Sequence, residues 1–169
     1  MPWKNGLGVT HEILISPEDS TLLQNNFHYR ISSADIHVDA AFSTFIGKKR
    51  WLIVYDGVGI KLNQEELPCY EIKHFSGEDN IFGSLMNGSI KDFGIIYDPN
   101  KVQVTMSLLQ ESREVDLRGE NIFFCVGKSA HIFNQTLQHE DSLILKTPDS
   151  TLIKLHPETK LIWIAITHV

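Results

Sequence analysis

Residues 50–62 read RWLIVYDGVGIKL, and this stretch decides the kind of fold the chain can make. Trp51 to Tyr55 form a short apolar run rich in β-branched and aromatic side chains, which is strand composition. Asp56-Gly57 is the strongest hairpin signal in the chain, so the stretch predicts two strands hinged at Gly57 and Gly59. Upstream, FHYRISSADIHV (27–38) puts Phe27, Tyr29 and Ile31 on one side, then continues out of phase with Ile36 and Val38. That slip predicts a strand containing a bulge. Downstream come PCYEIKHF (68–75), IKDFGIIYD (90–98) and VQVTMSLLQ (102–110), the last two separated by the turn chemistry of DPNK (98–101).

The carboxyl-terminal third repeats this texture in NIFFCVGKSAHIF (121–133), DSLILKT (141–147), STLIKL (150–155) and LIWIAIT (161–167). Two stretches carry helix signals. SPEDSTLLQNN (16–26) offers Ser16 as a cap and Pro17 in the first turn, and EDNIFGSLMNG (78–88) is the other, weakened by Gly83. Many short strands with almost no helix mean an all-β sandwich or barrel. HFSGEDNIFGSL (74–85) is echoed by LQHEDSLILKTPDSTLIKL (137–155), and Gly57 by Gly127, which is compatible with two jelly-roll halves.

At 169 residues, 42% hydrophobic and 21% charged, the chain is long enough for a core without metals or cross-links. A net charge of −6 argues against nucleic-acid or anionic-membrane partners, which need a basic surface. Cys69 and Cys125 lie in apolar stretches and read as buried thiols rather than a disulfide. With no signal peptide and no apolar run of membrane-spanning length, a cytoplasmic location is expected.

The eight histidines are scattered, and no two stand at the spacing by which a jelly roll holds a metal, so neither a metal nor a cofactor is expected. There is no G-x-S-x-G elbow or C-x-x-C pair, and GVGIKL lies between strands rather than before a helix. Three cations stand among aromatic or apolar neighbours: Lys4 after Trp3, Arg30 in FHYRIS and Arg50 in GKKRWLIV. An arginine in a strand built for burial either pairs inside, here with Asp35, Asp56 or Asp92, or lines a pocket for a small carboxylate. Both readings stay open on the residues alone.

PWKNGLGVTHEI (2–13) resembles the opening signature of the HutD/Ves family, P-W-K-N-G-G-G-x-T-x-E-I. In order, FHYRISSADI (27–36), AFSTFIGKKRWLIVYDGVGIKL (41–62) and NGSIKDFGIIYD (87–98) are similar to its aromatic-x-x-R-[LIV]-S-x-A, F-S-x-F-P-G-x-x-R and G-x-x-x-D-F-N-[VL]-M segments. The resemblance implies a bicupin, two double-stranded β-helices without the usual metal ligands, with residues 1–169 as one domain and halves near 1–98 and 99–169. It also implies a small-ligand accessory role beside histidine breakdown, the ligand being a carboxylate metabolite such as urocanate or formylglutamate. In that picture Trp3, Lys4 and Asn5 wall the pocket, Arg30 and Arg50 project from the sheet, Ser43 and Phe45 line the cavity, and Asp92 pairs an arginine or accepts a ligand proton.

Three positions depart from the pattern: Leu7 for the middle glycine, Ile46 for the proline before Gly47, and Gly94 for the asparagine after Asp92-Phe93. Members carry a further strand before the tryptophan motif, which implies a start upstream of Met1. Two other readings are a metal-independent enzyme acting on a small organic acid, with Asp92 or a histidine as base, and a structural or stress-related protein dimerising through a sheet edge.

Overall fold

The computed structural model of the chain describes residues 8–146 and 149–169, which form strands and turns and no helix. Met1–Lys101 and Val102–Val169 are two compact units. In the first, the strands are β1 (Gly8–Ser16), β2 (Tyr29–Ile36), β3 (Ala40–Ala41), β4 (Lys49–Asp56), β5 (Gly59–Leu62), β6 (Glu65–Pro68), β7 (Ile72–Ser76), β8 (Phe82–Leu85) and β9 (Ile90–Tyr97). They build two sheets, ordered β1-β2-β9-β4-β7 and β3-β8-β5-β6.

The second unit holds β10 (Val102–Leu109), β11 (Arg113–Leu117), β12 (Glu120–Val126), β13 (Ser129–Ile132), β14 (Gln135–Gln138), β15 (Ser142–Leu145), β16 (Asp149–Leu155) and β17 (Lys160–His168). Its sheets run β10-β17-β12-β15 and β11-β16-β13-β14, which is the order of the first unit with β1 left off and every strand advanced by eight. The same jelly roll is made twice. Left-handed backbone repeats with it: Gly57 and Gly127, Asn63 and Phe133, Tyr70 and Glu140, and Gly88 and Glu158 all have positive φ, each pair 70 positions apart.

In each unit the two sheets face one another across an apolar core. Ala34, Ile36, Leu52, Val54 and Ile90 from the five-stranded sheet meet Ile60, Leu62 and Leu67 from its partner. In the second unit Leu109, Phe123, Cys125 and Leu161 meet Val115, Ala130, Ile132, Leu137 and Ile153. Cys125 is fully buried and Cys69 half-buried, both as thiols.

The structure corrects four expectations. Asp56-Gly57 is not a hairpin: β4 and β5 belong to different sheets, and Gly57, at φ 91°, turns the chain from one layer to the other. The tight hairpin comes later, where Leu62 pairs with Glu65 around Asn63 and Gln64. Residues 16–26 make turns, because Leu22 and Leu23 are their only large apolar side chains and no helical stripe exists to be buried; Leu23 is 96% exposed. Residues 82–85 of the other helical stretch are strand β8. Finally, the bulge lies not in β2, which pairs without interruption to β9, but in β1, where the register shifts between Glu12 and Leu14.

Candidate functional site

Period-two alternation sends the even-numbered residues of β2, β9 and β4 to the inner face of the first unit. Register aligns them in rows. Arg30, Ile96 and Arg50 lie side by side, then Ser32, Gly94 and Leu52, then Ala34, Asp92 and Val54. Two arginines therefore flank one central strand, their backbones about 10 Å apart, and Asp92 stands four residues further along that strand, about 13 Å away. Between them the floor carries no side chain at Gly94, where a Cβ would stand 2.8 Å from the Trp51 carbonyl oxygen.

Above this floor is a cavity of about 800 Å³, closed on its far side by Ile60 and Gly83 and along its rim by Phe42, Ser43 and Phe45. That volume suits a small-molecule ligand.

Arg50 sits between two rings, its guanidinium carbon 4.9 Å from the centroid of Phe42 and 5.3 Å from that of Phe75. It donates from Nη1 to the Ser43 carbonyl oxygen at 3.2 Å, and among the described residues no carboxylate reaches it at ion-pair distance. Burial pulls its pKa down to about 10; the field of Asp92 opposes that fall and Arg30 adds to it. It remains a cation at neutral pH, gripped by aromatic faces and short of an anion.

Arg30 is placed differently. Its Nε donates to Glu12 Oε2 at 2.6 Å and its Nη1 to Ser32 Oγ at 3.3 Å. The internal ion pair is thus with Glu12 of β1 rather than with Asp35, Asp56 or Asp92.

Asp92 is 7% exposed. Burial pushes its carboxyl up to about 7; Arg50 and a hydrogen bond from the Ala34 amide draw it back, and Asp35 pushes it further up. A buried acid half-protonated near neutrality can donate or accept a hydrogen bond within the same cavity.

The structure brings Arg30, Ser43, Phe45, Arg50 and Asp92 to one cavity. Ser43 holds Arg50 through its backbone carbonyl rather than its hydroxyl, and Phe45 packs edge-on against Phe27 at 5.9 Å. Trp3, Lys4 and Asn5, the remaining wall expected from the sequence, lie outside the described residues, as does Leu7. Glu12, Phe42 and Phe75 were not singled out by the sequence. Glu12 and Phe42 both fall on positions of the quoted family motifs, which was the available signal, while Phe75 is brought in by its pairing with Arg50 across β4 and β7.

The second unit answers the same grid without charge and with bulkier apolar side chains. Matched by inward face and by the Gly57 and Gly127 corners, its rows are Thr105, Ala165 and Asn121; Ser107, Trp163 and Phe123; and Leu109, Leu161 and Cys125. Trp163 takes the place of Gly94, stacks on Phe123 at 5.8 Å, and donates from Nε1 to Asn121 Oδ1 at 2.9 Å. Asn121 itself takes the place of Arg50, Leu161 that of Asp92 and Leu109 that of Ala34. No charged side chain stands in these rows of the second unit, whose own pocket, an open one of about 610 Å³, is lined elsewhere by residues including Phe133, Leu143 and Asp149.

A duplicated jelly roll with this interior agrees with what sequence comparison finds: the HutD family model matches residues 1–163. The chain belongs to the HutD family. An uncharacterized 21.2 kDa protein in the hutC 3′ region of Pseudomonas putida is 37% identical over 111 residues, 63% of this chain and 57% of that one, so the match spans little more than half of that curated relative. The solved HutD of Pseudomonas fluorescens SBW25, obtained in a formate condition, is 26% identical with a TM-score of 0.84 over 100% of this chain and 93% of that one. A cupin 2 conserved barrel domain protein from Leptotrichia buccalis, 11% identical with a TM-score of 0.57 over 95% and 89% of the two chains, shares the fold. This HutD-family chain is therefore all-β and cupin-like. Among its described residues no helix is long and apolar enough to cross a membrane, and no three metal-donor side chains converge.

Proposed function

We propose that this HutD-family protein is a cytoplasmic, non-enzymatic binding protein for a small organic acid, acting as an accessory or regulator of histidine catabolism. The observation that carries the reading is Arg50: a half-buried guanidinium held between Phe42 and Phe75, with no carboxylate at ion-pair distance among the described residues, facing a cavity of ligand size. A half-buried cation in that state costs folding free energy that an incoming carboxylate would recover through a bidentate, charge-assisted contact. The body of the acid would lie over the bare floor at Gly94 and reach a hydrogen-bonding tail toward Asp92. Urocanate, with an imidazole N–H, and N-formylglutamate, with an amide, both carry such a tail. The Pseudomonas putida relative named for the hutC region supports the link to histidine utilisation.

Thermal shift and calorimetric titration with urocanate, N-formylglutamate, glutamate and formate test this. The wild type is expected to gain several degrees at millimolar acid, and Arg50→Ala, along with Arg50→Met to preserve the packing between the rings, is expected to gain none while still folding. Absence of any shift in the wild type would overturn the reading. The enzyme alternative has one observation in its favour, the near-neutral Asp92 carboxyl inside the cavity. Product formed from any of these acids, lost in Asp92→Asn, would establish it instead.

A further inference from the structure

Resting on the acid-binding reading, we propose that Glu12 is a resident carboxylate that occupies Arg30 and so sets how strongly the site favours a second carboxylate on its ligand. The two arginines at opposite ends of the inner row are not equivalent. Among the described residues no carboxylate reaches Arg50, whereas Arg30 already holds one through a 2.6 Å hydrogen bond from Nε to Glu12 Oε2. The Arg30 side chain is 8% exposed and that of Glu12 44%, so the pair joins a cation fixed in the cavity wall to an acid at the rim.

The rim acid is placed there by the backbone. Glu12 is opposite Ser32, which makes Arg30 its diagonal neighbour two residues along β2, a span that long side chains bridge, and the register shifts just beyond it, before Leu14. Arg30 and Ser32 both line the cavity. A monocarboxylate on Arg50 leaves this pair intact. The second carboxylate of a diacid has to displace Glu12, exchanging one charge-assisted contact for another and gaining little. Neutralising Glu12 without changing its shape removes the competitor and leaves Arg30 free.

The test compares N-formyl-L-glutamate with N-formyl-L-glutamine, which differ by one side-chain charge, in wild type, Glu12→Gln and Glu12→Gln/Arg30→Met, by calorimetric titration. The wild type is expected to bind the two within about threefold of one another. Glu12→Gln is expected to favour the diacid by a further tenfold or so, with the neutral amide unchanged, and the added Arg30→Met should abolish that gain. Should Glu12→Gln lower the melting temperature yet leave the ratio where it was, Glu12 is only an architectural partner of Arg30 and the inference falls while acid binding stands. Should neither compound, nor urocanate, bind the wild type, the acid-binding reading falls and takes this inference with it. If Glu12→Gln does not fold, the milder Glu12→Asp, which shortens the reach to Arg30, must shift the ratio in the same direction.

Discussion

Replacing Asp92 by Asn should reshape the dependence of stability on pH. Asp92 lies on the inner face of β9, with the Ala34 amide on its carboxyl, Arg50 across β4, Asp35 in the neighbouring field and Arg30 further along the floor. Burial is the largest influence and lifts its pKa from 3.8 to about 7. An acid with a raised pKa keeps a proton in the folded state that the unfolded chain releases. Its contribution is therefore greatest below the unfolded value, falls as pH rises through the window from 3.8 to about 7, and levels off above it. Each unit is worth about 1.4 kcal/mol, so between pH 5 and pH 8.5 the wild type should lose about 3 kcal/mol that Asp92→Asn does not lose. Arg50, whose pKa is about 10, stays charged throughout that range in both proteins. Urea unfolding followed by tryptophan fluorescence at pH 5, 6, 7 and 8.5 measures the difference directly, with equal slopes required in both proteins. A gap between variant and wild type that stays constant to within about 0.5 kcal/mol would refute the reasoning, because it would mean that the cavity solvates this carboxyl as well as bulk water does.

Two further substitutions probe the architecture around the site. Ala34→Leu copies the residue that fills the equivalent position in the second unit, Leu109; acid-dependent stabilisation should vanish in thermal shift while intrinsic stability stays within about 1.5 kcal/mol of wild type. Asp98→Ala removes the partner of Lys48, whose side chain is 6% exposed and whose Nζ lies 3.1 Å from Asp98 Oδ2; with only the Phe27 ring left beside the ammonium, unfolding free energy should drop by about 3 kcal/mol in urea titration.

Much of the architecture was legible because it is written in short-range pattern. The succession of short strands and the paired corners at Gly57 and Gly127 reflect local geometry repeated along one chain, whereas the acidic turns at 78–79 and 140–141 fall between non-equivalent strands, β7 and β8 in one unit and β14 and β15 in the other. Arg30, Arg50 and Asp92 stood out for a similar reason: a charge in a strand otherwise built for burial has to be answered by something. What answers it depends on register and sheet membership, which sequence does not display. Asp56-Gly57 has hairpin chemistry, yet the chain leaves one sheet there and enters the other, and a left-handed glycine serves either purpose. Glu12 finds Arg30 because β1 pairs with β2 in the register that sets it opposite Ser32, and Arg50 finds Phe75 because β7 is its edge neighbour. The capping chemistry of Ser16 and Pro17 is a local preference without a buried stripe behind it, and tertiary packing overrode it.

The two units together make the strongest case that the hollow is kept for a ligand rather than tolerated as a packing fault. The same strand order and the same rows are filled in the second unit by Trp163, Leu161 and Leu109, with Asn121 satisfied by the indole N–H. So this scaffold can pack that volume with apolar side chains and close its hydrogen bonds. In the first unit the same volume holds a glycine, an alanine, a desolvated guanidinium and a carboxyl displaced to about 7. Ala34, Arg50 and Asp92 are worse for folding than their counterparts Leu109, Asn121 and Leu161, while glycine at 94 is demanded by the Trp51 carbonyl, which leaves no room for a Cβ. A sequence that departs from its own packing solution at several adjacent positions, all on one cavity wall, is what the proposed binding role requires, because a bound acid would return the free energy those positions forgo.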